Sequence, residues 1–373
     1  MRPLSIVLAG MVAGQPGQGG AVWAVLQYAL GLRALGHEVT LVEPVRTLAL
    51  GAERFFADIV RDFNLAGAAA LVVEEEGRVI GLSRESLAAR CRRADLLLNI
   101  SGMLRDPGLV EPIPRRVFLD LDPAFNQIWH LQGAGMGFDR HTHFVSIAVN
   151  LGRQDCTVPA CGREWITTLQ PICLDRWPVA GDDVVHDGLT TVGHWRSYGS
   201  VTHDGVFHGQ KAHAWRDVID IPRRISKPCL PAVAIHADEV RDLAALRDHG
   251  WRLLDPAGEC GTPAAYQRFV QGSWAELGIA KSGYVVSRSG WFSDRSICYL
   301  ASGRPVLAMD TGFGTSLPTG TGLFAFATSE DVPVAVEAIA ADYTVHRRAA
   351  RTLAEEFFDS RRVLPRLLDQ VMG

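Results

Sequence analysis

Two aspartates flank one leucine in Asp120-Leu121-Asp122, where the buried apolar run Arg116–Leu121 breaks off ahead of Pro123. Carboxylates at that spacing on a strand end suit two kinds of chemistry. One can serve as general base while the other fixes geometry, or the pair can clamp a divalent cation carrying a diphosphate. Solvated or turn-capping aspartates are the plainer alternative. His141 and His143, in DRHTHFVSIAVN, add imidazoles that titrate near neutrality and are further base candidates, with exposed loop histidines as the alternative. A second constellation runs from Ser282 to Phe313. There Ser289, Gly290 and Ser293 let backbone approach a ligand closely, and a helix opening at Ser293 or Asp294 points free amides and its dipole at an anion, most obviously a phosphate. Arg295 adds a fork of donors for phosphate oxygens, and Asp294 an acceptor suited to a ribose hydroxyl. An ordinary N-cap before a core helix would use the same residues. Arg196 and Lys211 bracket a loop that could reach the same diphosphate, unless they are solvated surface charge.

Elements must bring these groups together. Leu4–Gly10 is a continuous apolar run, as in a strand buried on both faces; a glycine loop, a helix over Ala21–Leu35 and a strand ending at Glu43 follow. This β-loop-α-β unit implies a parallel, doubly wound sheet. The glycine loop and the acid after strand two invite a dinucleotide reading, but Gly17-Gln18-Gly19 runs straight into Gly20, Ala21 and Val22, so the GxGxxG turn is not completed. A loop lining a substrate cleft fits better. After a polar, proline-containing crossing near residue 180 the alternation restarts, with strands expected at Thr190–Trp195, Leu230–His236, Trp251–Asp255, Pro305–Met309 and Leu323–Phe326. The expectation is an α/β chain of two doubly wound Rossmann-like domains facing a cleft: residues 1–178, residues 179–358, and a last helix over 359–373 that crosses back to the first domain.

Length and composition agree. The chain has 373 residues, more than one core usually supports, and its 47% hydrophobic and 21% charged content is that of a globular protein. A net charge of −4 gives no electrostatic footprint for nucleic acid or anionic membrane, so no nucleic-acid partner is expected. The seven cysteines form no CxxC pair and read as reduced thiols of a cytoplasmic protein. Cys156 and Cys161 are read as small buried hydrophobes in preference to metal ligands. The apolar N-terminus is read as strand one, not a signal peptide, and no run is long enough to span a membrane.

With these motifs in place, the chain resembles the GT-B glycosyltransferases. The resemblance rests on Leu35-Gly36-His37-Glu38-Val39 entering strand two, on Ser289-Gly290-Trp291-Phe292-Ser293-Asp294-Arg295, on Tyr299-Leu300-Ala301-Ser302-Gly303-Arg304-Pro305-Val306, and on Asp310-Thr311-Gly312. It implies sugar transfer from a nucleoside diphosphate sugar, with no bound metal and no cofactor beyond that co-substrate. Gly290, Ser293, Asp294, Arg295 and Ser296 would hold the diphosphate or ribose, and Asp310, Thr311 and Gly312 would face the sugar. Gly17, Gln18, Gly19 and Gly20 would line the acceptor side.

Two departures bear on mechanism. Retaining members often carry paired glutamates flanking the donor helix, but Cys298 stands at one such position and no glutamate lies between Glu276 and Glu330. Many inverting members carry a histidine in the first glycine loop, and this loop has none. A single displacement needs one base near the acceptor, which favours inversion with Asp122 or Asp120. The expected acceptor is a soluble small molecule, and a homodimer is compatible with the sequence. A nucleotide-sugar epimerase or hydrolase, or a non-catalytic nucleotide-binding partner of a transferase, are the alternatives.

Overall fold

The computed structural model describes residues 2–373. The first sheet comprises β1 Ser5–Ala9, β2 Glu38–Val45, β3 Ala69–Val73, β4 Arg78–Gly81, β5 Leu96–Ile100, β6 Arg115–Asp120, β7 His143–Ser146 and β8 Trp165–Thr167. Its order is β4-β3-β2-β1-β5-β6-β7-β8, parallel except for the β3–β4 hairpin at one edge. Central strands such as β5 (LLLNI) are buried at every position, as a sheet covered on both faces requires. The second sheet uses β9 His186–His194, β12 Cys229–Ala234, β13 Ser273–Gly278, β14 Val306–Met309 and β15 Leu323–Phe326, all parallel, in the order β12-β9-β13-β14-β15. A small hairpin, β10 Val201–His203 with β11 Val206–His208, stands in the loop after β9. Both sheets reverse strand order beside their first strand, at β1 and at β9. Such switch points are where open α/β sheets bind ligands.

Two local expectations differ from the structure. Trp251–Asp255 runs along β12, donating from Arg252 to Cys229 O and from Leu254 to Pro231 O, but builds no full ladder, because Pro231 has no N–H to return. The core strand β13 (SWAELG) has no counterpart in the sequence reading. Glu276 interrupts its apolar run, yet it is fully buried because Arg295 pairs with it.

Helices α1 Gly19–Ala34, α2 Phe125–Leu131, α3 Lys211–Asp217, α4 Pro256–Cys260, α5 Pro263–Gly272, α6 Asp294–Ala301 and α7 Ser360–Met372 position the site. The domains meet along α1: Trp23 Nε1 donates to Pro263 O at 2.9 Å and its ring packs edge-on against Trp177 at 5.1 Å. The chain passes from the first sheet to the second and returns, with Ile172 bridging Asp359. After that bridge α7 packs on α1, where Gly31 leaves room for Leu364, and Arg115 of the first sheet donates to Met372 O at 3.0 Å.

Candidate active site

A cleft of about 750 Å3 opens between the domains at the C-terminal ends of both sheets. Its second-domain wall is formed by Val192, Gly193 and His194 at the end of β9, by Lys211 at the start of α3, and by Ser293, Asp294 and Arg295 at the start of α6. The facing wall is the glycine loop, Gln15 to Gly20, with Asp122 and Gln170.

Lys211 is the cation the cleft leaves unanswered. Among the described residues no carboxylate pairs with it. Burial, with the Arg295 guanidinium and the Lys281 ammonium nearby, pushes its amine well below the ordinary lysine range. Beside it, Ser293 caps α6 by accepting from Arg295 N at 3.2 Å. The Arg295 guanidinium is largely committed inward: Nε donates to Glu276 at 2.5 Å and Nη1 to Val192 O at 2.9 Å, while Nη2 has no hydrogen-bond partner among the described residues. Asp294 faces the cleft, and burial raises its carboxyl while Arg295 opposes the rise. His194 also lines the cleft. Burial lowers its pKa, and Lys211 and Lys281 lower it further, so the imidazole is neutral near pH 7.

The two aspartates of the DLD triplet have opposite fates. Asp120 is fully buried, and its oxygens accept from Asn126 at 2.6 Å, Gln127 at 2.7 Å and Ser146 at 2.7 Å, besides the Asp122 amide. Burial raises its carboxyl despite these bonds. It does not border the cleft. Asp122 reaches the cleft but is not free: Lys281 Nζ donates at 3.0 and 3.1 Å, and the Tyr198 and Tyr284 hydroxyls donate as well. Lys281 Nζ also lies 4.1 Å from the Tyr198 ring centroid, a cation–π contact. All three partners belong to the second domain, so Asp122 acts as a latch between domains. The carboxylates point apart and form no cation clamp.

His143 is at the wrong end of its strand. It begins β7 and pairs with Val117, three residues before Asp120, roughly 10 Å below the strand ends at the usual rise. His141 is buried, held by Gly137 O at 2.7 Å and Asn99 Nδ2 at 3.1 Å.

Of the remaining donor candidates, Arg196 borders the cleft but pairs with Glu239 at 2.5 Å. Gly290, Ser296, Asp310, Thr311 and Gly312 do not line the cleft. Gly290 (φ 73°) instead lets the first domain close in, since a Cβ there would meet Asn150 Cγ at 2.8 Å. Asn150 in turn donates to Arg288 O and to Gly312 O, at 3.1 and 3.0 Å. Asp310 accepts from the Gly312 amide at 2.8 Å, Thr311 donates to Trp291 O at 2.5 Å, and Ser296 is buried within α6. On the other wall Gly17 and Gln18 face the cleft. Gly19 and Gly20 also border it, but serve as a bearing: a Cβ on Gly19 would lie 2.2 Å from Thr262 O, and one on Gly20 would lie 2.8 Å from Tyr266.

Sequence reasoning passed over His194, Lys281, Tyr198 and Tyr284. One signal points to Lys281: the chain carries only three lysines, Lys211, Lys227 and Lys281, among 37 basic residues, and two of them meet in this cleft. Lysine is the compact, tunable cation that arginine cannot replace.

Two Rossmann-like domains facing such a cleft define the GT-B glycosyltransferase fold, as the sequence resemblance implied. The chain superposes on alpha-glucosyltransferase (AGT) in complex with UDP with a TM-score of 0.65 at 12% identity, covering 99% of this chain and 100% of that one. It is equally similar to an alpha-glucosyltransferase in complex with UDP and a 13-mer DNA containing a central A:G mismatch (TM-score 0.66, 12% identity, 100% of both chains). Anabaena Alr3699/HepE in complex with UDP and glucose matches with a TM-score of 0.62 at 11% identity, over 99% of this chain and 100% of that one. No protein-family model and no curated sequence matches the chain.

These structures correct two expectations. Full-length relatives in fold are complexed with DNA, so neither the restriction to a small-molecule acceptor nor the exclusion of nucleic acid stands. Net charge averages over the whole surface and does not exclude a local interface. Among the described residues no helix is long and apolar enough to cross a membrane.

Proposed function

We propose that the chain is a glycosyltransferase that takes a nucleoside diphosphate sugar and seats its diphosphate on Lys211 at the switch point of the second domain. The observation that carries this reading is Lys211 itself, a partly buried amine that no carboxylate pairs with among the described residues, facing the cleft beside the N-terminus of α6. In transfer, the acceptor oxygen bonds to the anomeric carbon, the bond to the diphosphate breaks, and the diphosphate gains charge. Lys211, the α6 amides and Arg295 Nη2 would stabilise that charge where it develops. These cations would take the part a metal plays elsewhere, so the reading includes neither metal nor cofactor. The acceptor proton would go to His194 or Asp294, which line the cleft and, among the described residues, hydrogen-bond to no other side chain. Asp122 would instead hold Lys281 and the closed domains. A cytoplasmic setting belongs to the same reading and is supported by seven unpaired cysteines.

The test is a donor panel with the purified full chain. Nucleotide sugars, UDP-glucose first, are scored by thermal shift and turnover, and the acceptor panel includes duplex DNA carrying an HMU base. Donor binding that disappears in Lys211→Met supports the reading. A wild-type protein stabilised by no nucleotide or nucleotide sugar would sink it. Kinetics of His194→Gln and Asp294→Asn then separate the bases, since the variant lacking the base loses the ionisation on the acidic limb of its pH–rate profile.

A further inference from the structure

The first domain has a crevice of the same plan, and it is already occupied. β1 lies between β2 and β5, and the loop leaving it turns the amides of Val12, Ala13 and Gly14 toward one point. Successive N–H groups so arranged form a concavity that binds anions, and at this place a dinucleotide-binding sheet sets its pyrophosphate. Here the anion is Glu43, from the same chain. Its Oε2 accepts from Ala13 N at 2.6 Å and its Oε1 from Gly14 N at 2.8 Å. Glu43 is 1% exposed, and no basic side chain pairs with it among the described residues. The neighbourhood is cut to admit it: a Cβ on Gly14 would stand 2.7 Å from Oε1. Burial pushes this carboxyl up and the three amides pull it back, so the loop compensates only part of the desolvation of its guest.

We propose that Glu43 is a positioning residue that fills the anion-binding loop of the first domain, fixing the glycine loop as a cleft wall and leaving phosphates to the second domain. The segment it anchors runs directly into Gln15–Gly20, which borders the cleft, and on into the Gly19 bearing. A carboxylate built in by sequence holds that wall in every state of the cycle, which a diffusible anion would not do.

The experiment uses Glu43→Ala and Glu43→Gln in the full chain. Emptying the loop in Glu43→Ala makes it a site for acetate or inorganic phosphate. The expected result is a melting temperature that rises further with either anion in this variant than in the wild type, since any phosphate response at Lys211 is common to both. The kinetic arm alone rests on the transferase reading: kcat/KM falls by about 100-fold, the scale of a misplaced wall. The fall is expected in kcat and acceptor KM with donor KM unchanged, and acetate restores part of it in Glu43→Ala. Glu43→Gln fills the same space but sets an NH2 against an amide N–H, so it loses activity without anion rescue. Equal anion response of wild type and Glu43→Ala overturns the proposal. So does a Glu43→Ala protein indistinguishable from wild type in melting and turnover. If the wild type turns over no donor, the melting arm still decides. If Glu43→Ala does not fold, Glu43→Gln decides: wild-type stability and kinetics in that variant overturn the proposal, and a rescue-resistant loss supports it.

Discussion

The two sheets reverse strand order at matching places, β1 between β2 and β5 and β9 between β12 and β13, and the two crevices are finished differently. The first is closed by an internal anion, Glu43 on the amides after β1. The second is lined by Lys211, which no carboxylate pairs with among the described residues, and by a helix start whose arginine is anchored from behind by Glu276. On the proposed reading, one architecture would serve as a cleft wall in one domain and as a phosphate site in the other. The sign of the residue left over at the switch point makes the difference.

The comparison can be broken at several points. Glu276→Gln removes the partner of a buried guanidinium, and stability should fall by about 3–5 kcal/mol in urea unfolding, the usual cost of leaving a buried charge unpaired. A loss under about 1 kcal/mol, typical of exposed pairs, would mean that Arg295 is not anchored as described. Lys211→Met should cut kcat/KM by about 100- to 1000-fold, as removal of one stabiliser of developing charge does. The same variant should melt higher in the unliganded state. A lysine whose folded pKa lies below 10.5 takes its proton less readily in the fold, so the fold gains stability as pH rises from the folded value to 10.5 and loses it on descent. Without the amine that slope should vanish from the Tm-versus-pH profile. Donor binding should also take up a proton above the folded pKa, read as a calorimetric heat that changes with the ionisation enthalpy of the buffer. Gly19→Ala should cost about 1–3 kcal/mol by overpacking the α1 bearing against Thr262, which a ligand-contacting glycine would not do. Arg196→Ala is the smallest: its half-exposed pair with Glu239 should be worth less than about 1 kcal/mol, checked by denaturant unfolding.

The alternation of apolar runs and amphipathic stretches was enough to read two parallel sheets and a cleft, because strands buried on both faces announce themselves. β13 escaped because Glu276 looks like surface until Arg295, 19 residues on, is known to reach it. The helix start at Ser293–Arg295 was legible from its cap, because local backbone geometry is written locally. Its neighbours were not. Asp120 and Asp122 differ by two residues in sequence and by everything in environment, one sealed by Asn126, Gln127 and Ser146, the other tied to Lys281 across the domain gap. Asp310–Gly312 follows its strand as expected, but Asn150 from the other domain claims the space in front of it. What spacing cannot convey is which groups the opposite domain has already answered.

The most direct measurement is a calorimetric titration of UDP into wild type, Lys211→Met and Glu43→Gln under one buffer. The account predicts one site per chain in the wild type, retained in Glu43→Gln and lost in Lys211→Met. Undiminished UDP binding by Lys211→Met, or its loss in Glu43→Gln alone, would contradict it.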